Sequence, residues 1–392
     1  SDRINASASR LELYSSCPFR HFIQYGLKAE EGRKFEIDAR SRGDIYHKAL
    51  QILCKRLMPP EGTFVSDESS DWMTITEDDC RQQVEEILRE QTAGYREGVY
   101  IDGRENQLQL ERVIENCGDM AWAMIGQVRR SRTSRMYFEE PFGYSGGRIR
   151  PVEIELEGGR KAVLYGKIDR IDVFDVAGGV SAEDAGNTGD SGIREAVRII
   201  DYKTGDNKID ISQIEEGYKL QLTMYMNAVC GSDDGNEGIG QNIEPAGVFY
   251  FKIKDIDVNA DREGTPDEKG ESVEDRIAKA CKLEGLIVDD ENIVNSMDQT
   301  LECGSSSVAV PVKKLKEGGL QKSGGILISS DEFKELCSKT SAHVERICRE
   351  IQEGCIDIEP KMEKRGSAGN GPRTSCSYCE YKSICLFDTS FR

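Results

Sequence analysis

The chain has 392 residues, of which 38% are hydrophobic, and a formal net charge of −19. That is enough apolar material for one large domain or two intimate ones, and the acidic balance argues against a protein that coats nucleic acid through bulk charge. No run approaches the roughly 20 apolar residues of a membrane span and no hydrophobic leader is evident, so a soluble, cytoplasmic protein without a membrane partner is expected.

Charge is uneven along the chain: residues 1–57 hold eleven Lys or Arg against seven Asp or Glu, a local basic surface that could meet phosphates. Residues 10–25 read as an aromatic-rich helix interrupted or initiated near Cys17-Pro18. A stronger helix is predicted over 41–57, where Ile45, Tyr46, Ala49, Leu50, Leu53 and Leu57 recur at helical spacing before Pro59-Pro60. Two more helical patterns cover 78–98 and 107–128, the second through Leu110, Val113, Ile114, Cys117, Ala121 and Met124.

Strand-like runs follow at 151–156, 162–174 and 196–202, the last two separated by a Gly/Ala/Asp/Ser-rich stretch over 176–194 that reads as an exposed insertion. A helix over 214–229 precedes a strand at 247–253. A solvated stretch is expected at 255–272 and a Ser/Gly/Lys-rich insertion at 303–328, then a helix over 330–353 and a loop over 363–375. Strands set among flanking helices give an α/β fold class with a mixed sheet. Neither a Walker-type phosphate loop nor a Gly-x-Gly-x-x-Gly fingerprint is present, so any ATP motor resides elsewhere.

Two acidic motifs carry the chemistry: Gly166-Lys-Ile-Asp169-Arg-Ile-Asp172 and Ile199-Ile-Asp201-Tyr-Lys203-Thr-Gly205. Asp169 and Asp201 sit at the ends of branched apolar runs, where strands would hold them rigidly, and Lys203 shares a face with Asp201 by alternation. Hard divalent ions take oxygen ligands and a phosphodiester under attack needs positive charge beside it, so the set reads as a metal-dependent nuclease centre. Taken singly, Asp169 could end an ion pair with Lys167 or Arg170, and Asp172, turned to the opposite face, reads as support or surface.

Thirteen cysteines are too few for a disulfide scaffold of this length. Cys54, Cys117 and Cys230 fall in apolar helical patterns and read as buried small hydrophobes. Cys376, Cys379 and Cys385 differ, with C-x2-C-x5-C spacing; with the distant Cys17 they suit a four-thiolate site holding either zinc or a [4Fe-4S] cluster.

Six pieces occur in one order: Cys17-Pro-Phe, Gly43-Asp-Ile-Tyr-His47, the two acidic motifs, Gln221-Leu-Thr-Met-Tyr225 and the terminal cysteines. In these the chain resembles the C-terminal nuclease domain of the B subunit of AddAB-type ATP-dependent helicase–nucleases, within the RecB-like branch of the PD-(D/E)xK superfamily. No Pro precedes Asp169, a departure this branch shares. The resemblance implies a restriction-endonuclease-like core over 136–362, a mostly helical part over 1–135 and a cysteine segment over 363–392, together one nuclease domain.

By the same resemblance, Asp169, Asp201, His47 and the carbonyl of Tyr202 would hold Mg2+ or Mn2+, and Lys203 would activate water and stabilise developing charge. Gln221 and Tyr225, four apart on a helix, fall at the site edge, and Cys17, Cys376, Cys379 and Cys385 become ligands of a structural [4Fe-4S] cluster. The implied activity is exonucleolytic hydrolysis of single-stranded or unwound DNA during processing of double-strand breaks for homologous recombination. The implied partners are an A subunit and helicase-like domains upstream. A stand-alone iron–sulfur exonuclease of the CRISPR-associated type, or a non-catalytic cluster-stabilised DNA-binding scaffold, are the alternatives.

Overall fold

The computed structural model describes residues 3–29, 39–59, 64–93, 104–144, 147–176, 194–205, 207–231, 239–240, 243–253, 273–361 and 375–387. From the N-terminus, β1 (Arg3–Ala6) leads into α1 (Ala8–Ser16), α2 (Pro18–His21) and a π-helical turn (Phe22–Gly26). Then come α3 (Ala39–Arg56), α4 (Asp71–Thr74), α5 (Glu77–Ala93) and α6 (Arg104–Arg129). Strands β2 (Thr133–Phe142), β3 (Val152–Leu156), β4 (Arg160–Leu164), β5 (Gly166–Val176) and β6 (Arg194–Thr204) follow. Next are α7 (Ile211–Glu215), α8 (Gln221–Cys230), β7 (Glu244–Ile253), α9 (Val273–Ala280), β8 (Glu284–Val288) and α10 (Glu291–Met297). The series is completed by β9 (Val312–Lys314), β10 (Leu320–Lys322), β11 (Ile326–Ile328), α11 (Ser330–Glu353) and α12 (Lys382–Cys385).

Six strands form a mixed central sheet in the order β11-β8-β7-β6-β5-β2. β6 runs parallel to β7 and β8 parallel to β11; the other pairs are antiparallel. The middle strands are buried on both faces because helices cover both: α3 packs on β2 and β6, while α8 lies against β6 and β7. The helical stripes fill this core as their spacing predicts. Every apolar residue of the 41–57 stripe is buried, as are Phe333, Leu336, Val344 and Ile347 of α11. Cys54 and Cys117 are buried, and Cys230 packs at the core's margin.

Several sequence expectations are corrected. The single run expected over 162–174 divides at Tyr165, because β4 pairs with β1 and β3 in a separate three-stranded sheet while β5 enters the central one. The helix expected over 214–229 breaks at Gly217, whose φ of +79° suits glycine and whose missing Cβ would lie 2.9 Å from the His343 ring. The stretch 303–328, expected only as an insertion, holds strands: β9 and β10 pair, and β11 extends the central sheet. A capping box formed by Ser329 and Glu332 then starts α11. The expectations for 176–194, 255–272 and 363–375 lie almost wholly outside the described residues.

Asp172 is not at the surface. It is fully buried with Arg170 and Arg198, accepting from Arg170 Nε at 2.7 Å and from Arg198 Nε at 2.8 Å. Asp169, three residues earlier, faces the other side of β5, as strand alternation requires.

Candidate active site

The β5–β6 ladder ends at the Arg170–Ile200 pair, and one step further the register sets Asp169 opposite Asp201. There the ladder gives way to a side-chain contact, with the Tyr202 N–H donating to Asp169 Oδ2 at 2.9 Å. β6 stays paired with β7 as far as Thr204, so Asp201 and Lys203 remain on rigid backbone.

His47 arrives from α3. Its Nε2 lies 3.1 Å from Asp169 Oδ2, and its ring meets Tyr202 edge-on at 5.3 Å between centroids. The helix can come this close because of Gly43, one turn earlier on the same face: a Cβ there would stand 2.6 Å from Thr204 Cγ2 at the end of β6.

A further carboxylate joins them. Phe138 pairs with Arg170 and Glu140 with Ile168, which sets Glu139 of β2 across from Asp169. Glu139 has a φ of +54°, unusual for a non-glycine residue and a mark of local strain. Its Oε1 lies 3.3 Å from His47 Nδ1, and Lys167 contacts its other oxygen. Among the described residues, His47, Glu139 and Asp169 bring ligand atoms within 4.8 Å of one another.

Lys203 Nζ lies 2.7 Å from Asp201 Oδ2. Gln221, at the first turn of α8, ties the pair together: its Nε2 donates to Asp201 Oδ1 at 2.8 Å and its Oε1 accepts from Lys203 at 3.0 Å. The same amide donates to the Tyr225 hydroxyl at 3.0 Å. Tyr225 packs edge-on against Phe142 at 5.5 Å, and Phe142 fills the space left beside Gly166.

Burial and the neighbouring Asp169 charge push the Asp201 carboxyl up to about 7, against the pull of Lys203 and His47. His47 is raised: burial opposes its protonation, but the hydrogen bond and charge of Asp169, with Glu139 and Asp201, outweigh burial. Two buried oxygens, Glu139 Oε1 and Asp201 Oδ2, have only ionic contacts and no hydrogen bond of sound geometry. Buried carboxylate oxygens left in that condition, beside an imidazole, form a donor set that fits a divalent cation.

The sequence pattern of the PD-(D/E)XK nuclease superfamily matches residues 5–185 and 187–386. The chain belongs to this superfamily. It is 31% identical over 388 residues to the B subunit of the ATP-dependent helicase/deoxyribonuclease of Alkaliphilus metalliredigens (strain QYMF), covering 99% of this chain and 30% of that protein. The protein of the same name from Clostridium kluyveri (strain NBRC 12016) is 29% identical over 389 residues, with the same coverage. The chain thus spans 30% of the length of these curated relatives.

The structure brings His47, Asp169, Asp201, Tyr202, Lys203, Gln221 and Tyr225 into one contact network; Lys167 contacts Glu139 and Arg170 pairs with Asp172 rather than with Asp169. Sequence reasoning missed Glu139, whose strand lies in the unassigned stretch between the helical pattern ending at 128 and the strand-like run starting at 151. Alternating Met136 and Phe138 ahead of Glu139-Glu140-Pro141 was the available signal. At the far end of α1, Cys17, Cys376, Cys379 and Cys385 line one pocket together with Phe19, Ile358, Tyr381 and Phe387. No helix among the described residues is long and apolar enough to cross a membrane.

Proposed function

We propose that this chain is the nuclease domain of the B subunit of an ATP-dependent helicase/deoxyribonuclease, hydrolysing phosphodiesters of single-stranded DNA exonucleolytically with Mg2+ or Mn2+. The observation that carries the reading is the convergence of an imidazole, three carboxylates and a lysine in one volume, the lysine fixed by Gln221.

His47, Asp169, Asp201 and Glu139 would hold the cation. The Tyr202 carbonyl is a further candidate ligand, since an extended strand directs a residue's N–H and C=O to the same edge and that N–H faces Asp169. A divalent cation bound there would polarise the phosphoryl oxygens and favour ionisation of the attacking water. Lys203 places an ammonium beside Asp201, where it stabilises charge developing on the phosphate. Gln221 fixes the direction of that ammonium. Tyr225 accepts from Gln221 through its oxygen, which leaves its O–H to donate to a phosphate.

The four cysteines are assigned to a structural [4Fe-4S] cluster. Their shared pocket and apolar walls support this, and ligation would close residue 17 onto 376–385, restricting the unfolded chain. The names of the relatives favour a helicase–nuclease assembly over the stand-alone alternative. In that assembly, upstream helicase-like domains and an A subunit deliver unwound DNA to a chain too acidic to grip it strongly alone.

Anaerobically purified chain, given end-labelled single strands with Mg2+ or Mn2+, should cleave from an end, stop on chelation, and lose activity in a folded Asp201→Ala variant. A folded, metal-supplied chain that leaves the strands intact would remove the nuclease reading.

A further inference from the structure

Glu12, on the N-terminal helix, reaches the far end of the site. Its Oε1 accepts two backbone N–H groups, from Leu220 at 2.7 Å and Gln221 at 3.0 Å. These belong to the first turn of α8, where N–H groups have no partner within the helix, and no side chain of α8 itself caps that end. A carboxylate is the strongest acceptor for this place, because it meets both the free donors and the positive end of the helix dipole.

The helix it caps carries Gln221, whose amide joins Asp201 to Lys203. A helix turn free to fray would let that amide swing, and Lys203 would lose the acceptor that directs it. α1 is itself pinned at its C-terminal end, where the Ser16 carbonyl accepts from Lys361 N and Ser375 Oγ, each at 3.0 Å. Glu12 is therefore held on a short helix anchored at the cysteine segment and inserted at the root of the active-site helix.

We infer that Glu12 is a positioning residue for phosphodiester cleavage, acting through the first turn of α8 to hold Gln221 against Asp201 and Lys203. The inference rests on the nuclease reading for its activity arm, while its structural arm is independent of that reading.

The structural arm is hydrogen exchange of the 218–226 segment in the full chain. Glu12→Ala should speed exchange at the start of α8 by about tenfold or more, the loss of charge-assisted backbone hydrogen bonds. Unchanged protection there overturns the inference whether or not the chain cuts DNA. In the activity arm, Glu12→Ala should lower kcat on end-labelled single strands by about 10- to 100-fold, as small misplacements in a catalytic site do, with the KM for DNA little changed. Glu12→Gln keeps the reach and an acceptor oxygen and should recover most of that loss. Glu12→Asp keeps the charge but withdraws it by one methylene and should recover less. The Glu12→Ala/Gln221→Ala double variant should be no worse than the poorer single one. Multiplying losses in the double variant would assign Glu12 a separate electrostatic or general structural role instead. A wild-type chain that fails to cleave, with the exchange result as expected, would sink the nuclease reading and leave the positional link standing.

Discussion

Gly43 of α3 sits so close to Thr204 of β6 that a single methyl group on it would stand 2.6 Å from Thr204 Cγ2. The contact sets the distance between the helix that carries His47 and the strand that carries Asp201. On an open helix, Gly→Ala stabilises by about 1 kcal/mol. Here the sign reverses: Gly43→Ala should destabilise by about 1–3 kcal/mol through overpacking and move His47 away from Asp169. Thr204→Ser removes the colliding methyl and should restore both stability and cleavage in the double variant. Urea unfolding with a paired activity assay measures this, and a stabilised, fully active Gly43→Ala would refute it.

Cation binding should depend steeply on pH. In the folded, cation-free chain the Asp201 carboxyl is raised to about 7 from an ordinary 3.8, so it holds a proton that the unfolded chain has already released. Its contribution to folding is greatest at low pH and is lost as pH rises from about 4 to about 7. His47, also raised, contributes below its unfolded value and loses that contribution as pH climbs through its folded one. A bound cation displaces both protons. Mn2+ affinity should therefore rise about tenfold or more per pH unit below about 7 and then level off, with protons released into the buffer. Calorimetry in two buffers of different ionisation enthalpy reads this directly; an affinity flat between pH 5.5 and 7 would contradict it.

Asp169 and Asp172 lie three residues apart and should behave oppositely. Asp172→Asn leaves Arg170 and Arg198 without their carboxylate at fully buried positions, a loss of about 3–5 kcal/mol for a broken buried ion pair. Asp169→Asn removes a charge that disfavours ionisation of Asp201, so the cation-free chain should unfold at an unchanged or higher urea concentration while cleavage is abolished. Equal destabilisation by the two changes would show that the faces of β5 have been misassigned.

The cysteine pocket gives a compositional test. Cys379→Ser, made and purified without oxygen, should lose iron and sulfide together and melt at a lower temperature. Cys303→Ser, at an exposed position outside the pocket, should change neither. Stoichiometric zinc and no iron in the wild-type chain would replace the cluster with a simpler thiolate site.

Spacing grouped the residues of this site into pairs, while the roles of His47, Gln221 and Tyr225 came from the family resemblance. Gly43 and His47 are one helical turn apart, Asp201 and Lys203 share a strand face, and Gln221 and Tyr225 share a helix face, so short-range periodicity alone brings each pair together. Glu139 and Glu12 escaped because no periodicity links them to the site. Glu139 enters through a left-handed backbone turn that only the tertiary register reveals. Glu12 binds backbone 208 residues away in sequence. The region 303–328 misled for a related reason: its Ser, Gly and Lys content signals turns, yet the three-residue β11 needs only Ile326, Leu327 and Ile328 to join the sheet edge.

The docking of α1 also fixes an order of events during synthesis. Tyr14 donates to the Cys355 carbonyl, Phe19 N–H to Asp357 and Lys361 N–H to Ser16, so α1 gains its seat from residues made long after it, 341 positions later in the case of Cys355. A growing chain that already contains every acidic residue of the site still lacks this brace. α1 is therefore locked only after the segment through Ser375 has been made, and competence to cut follows that segment.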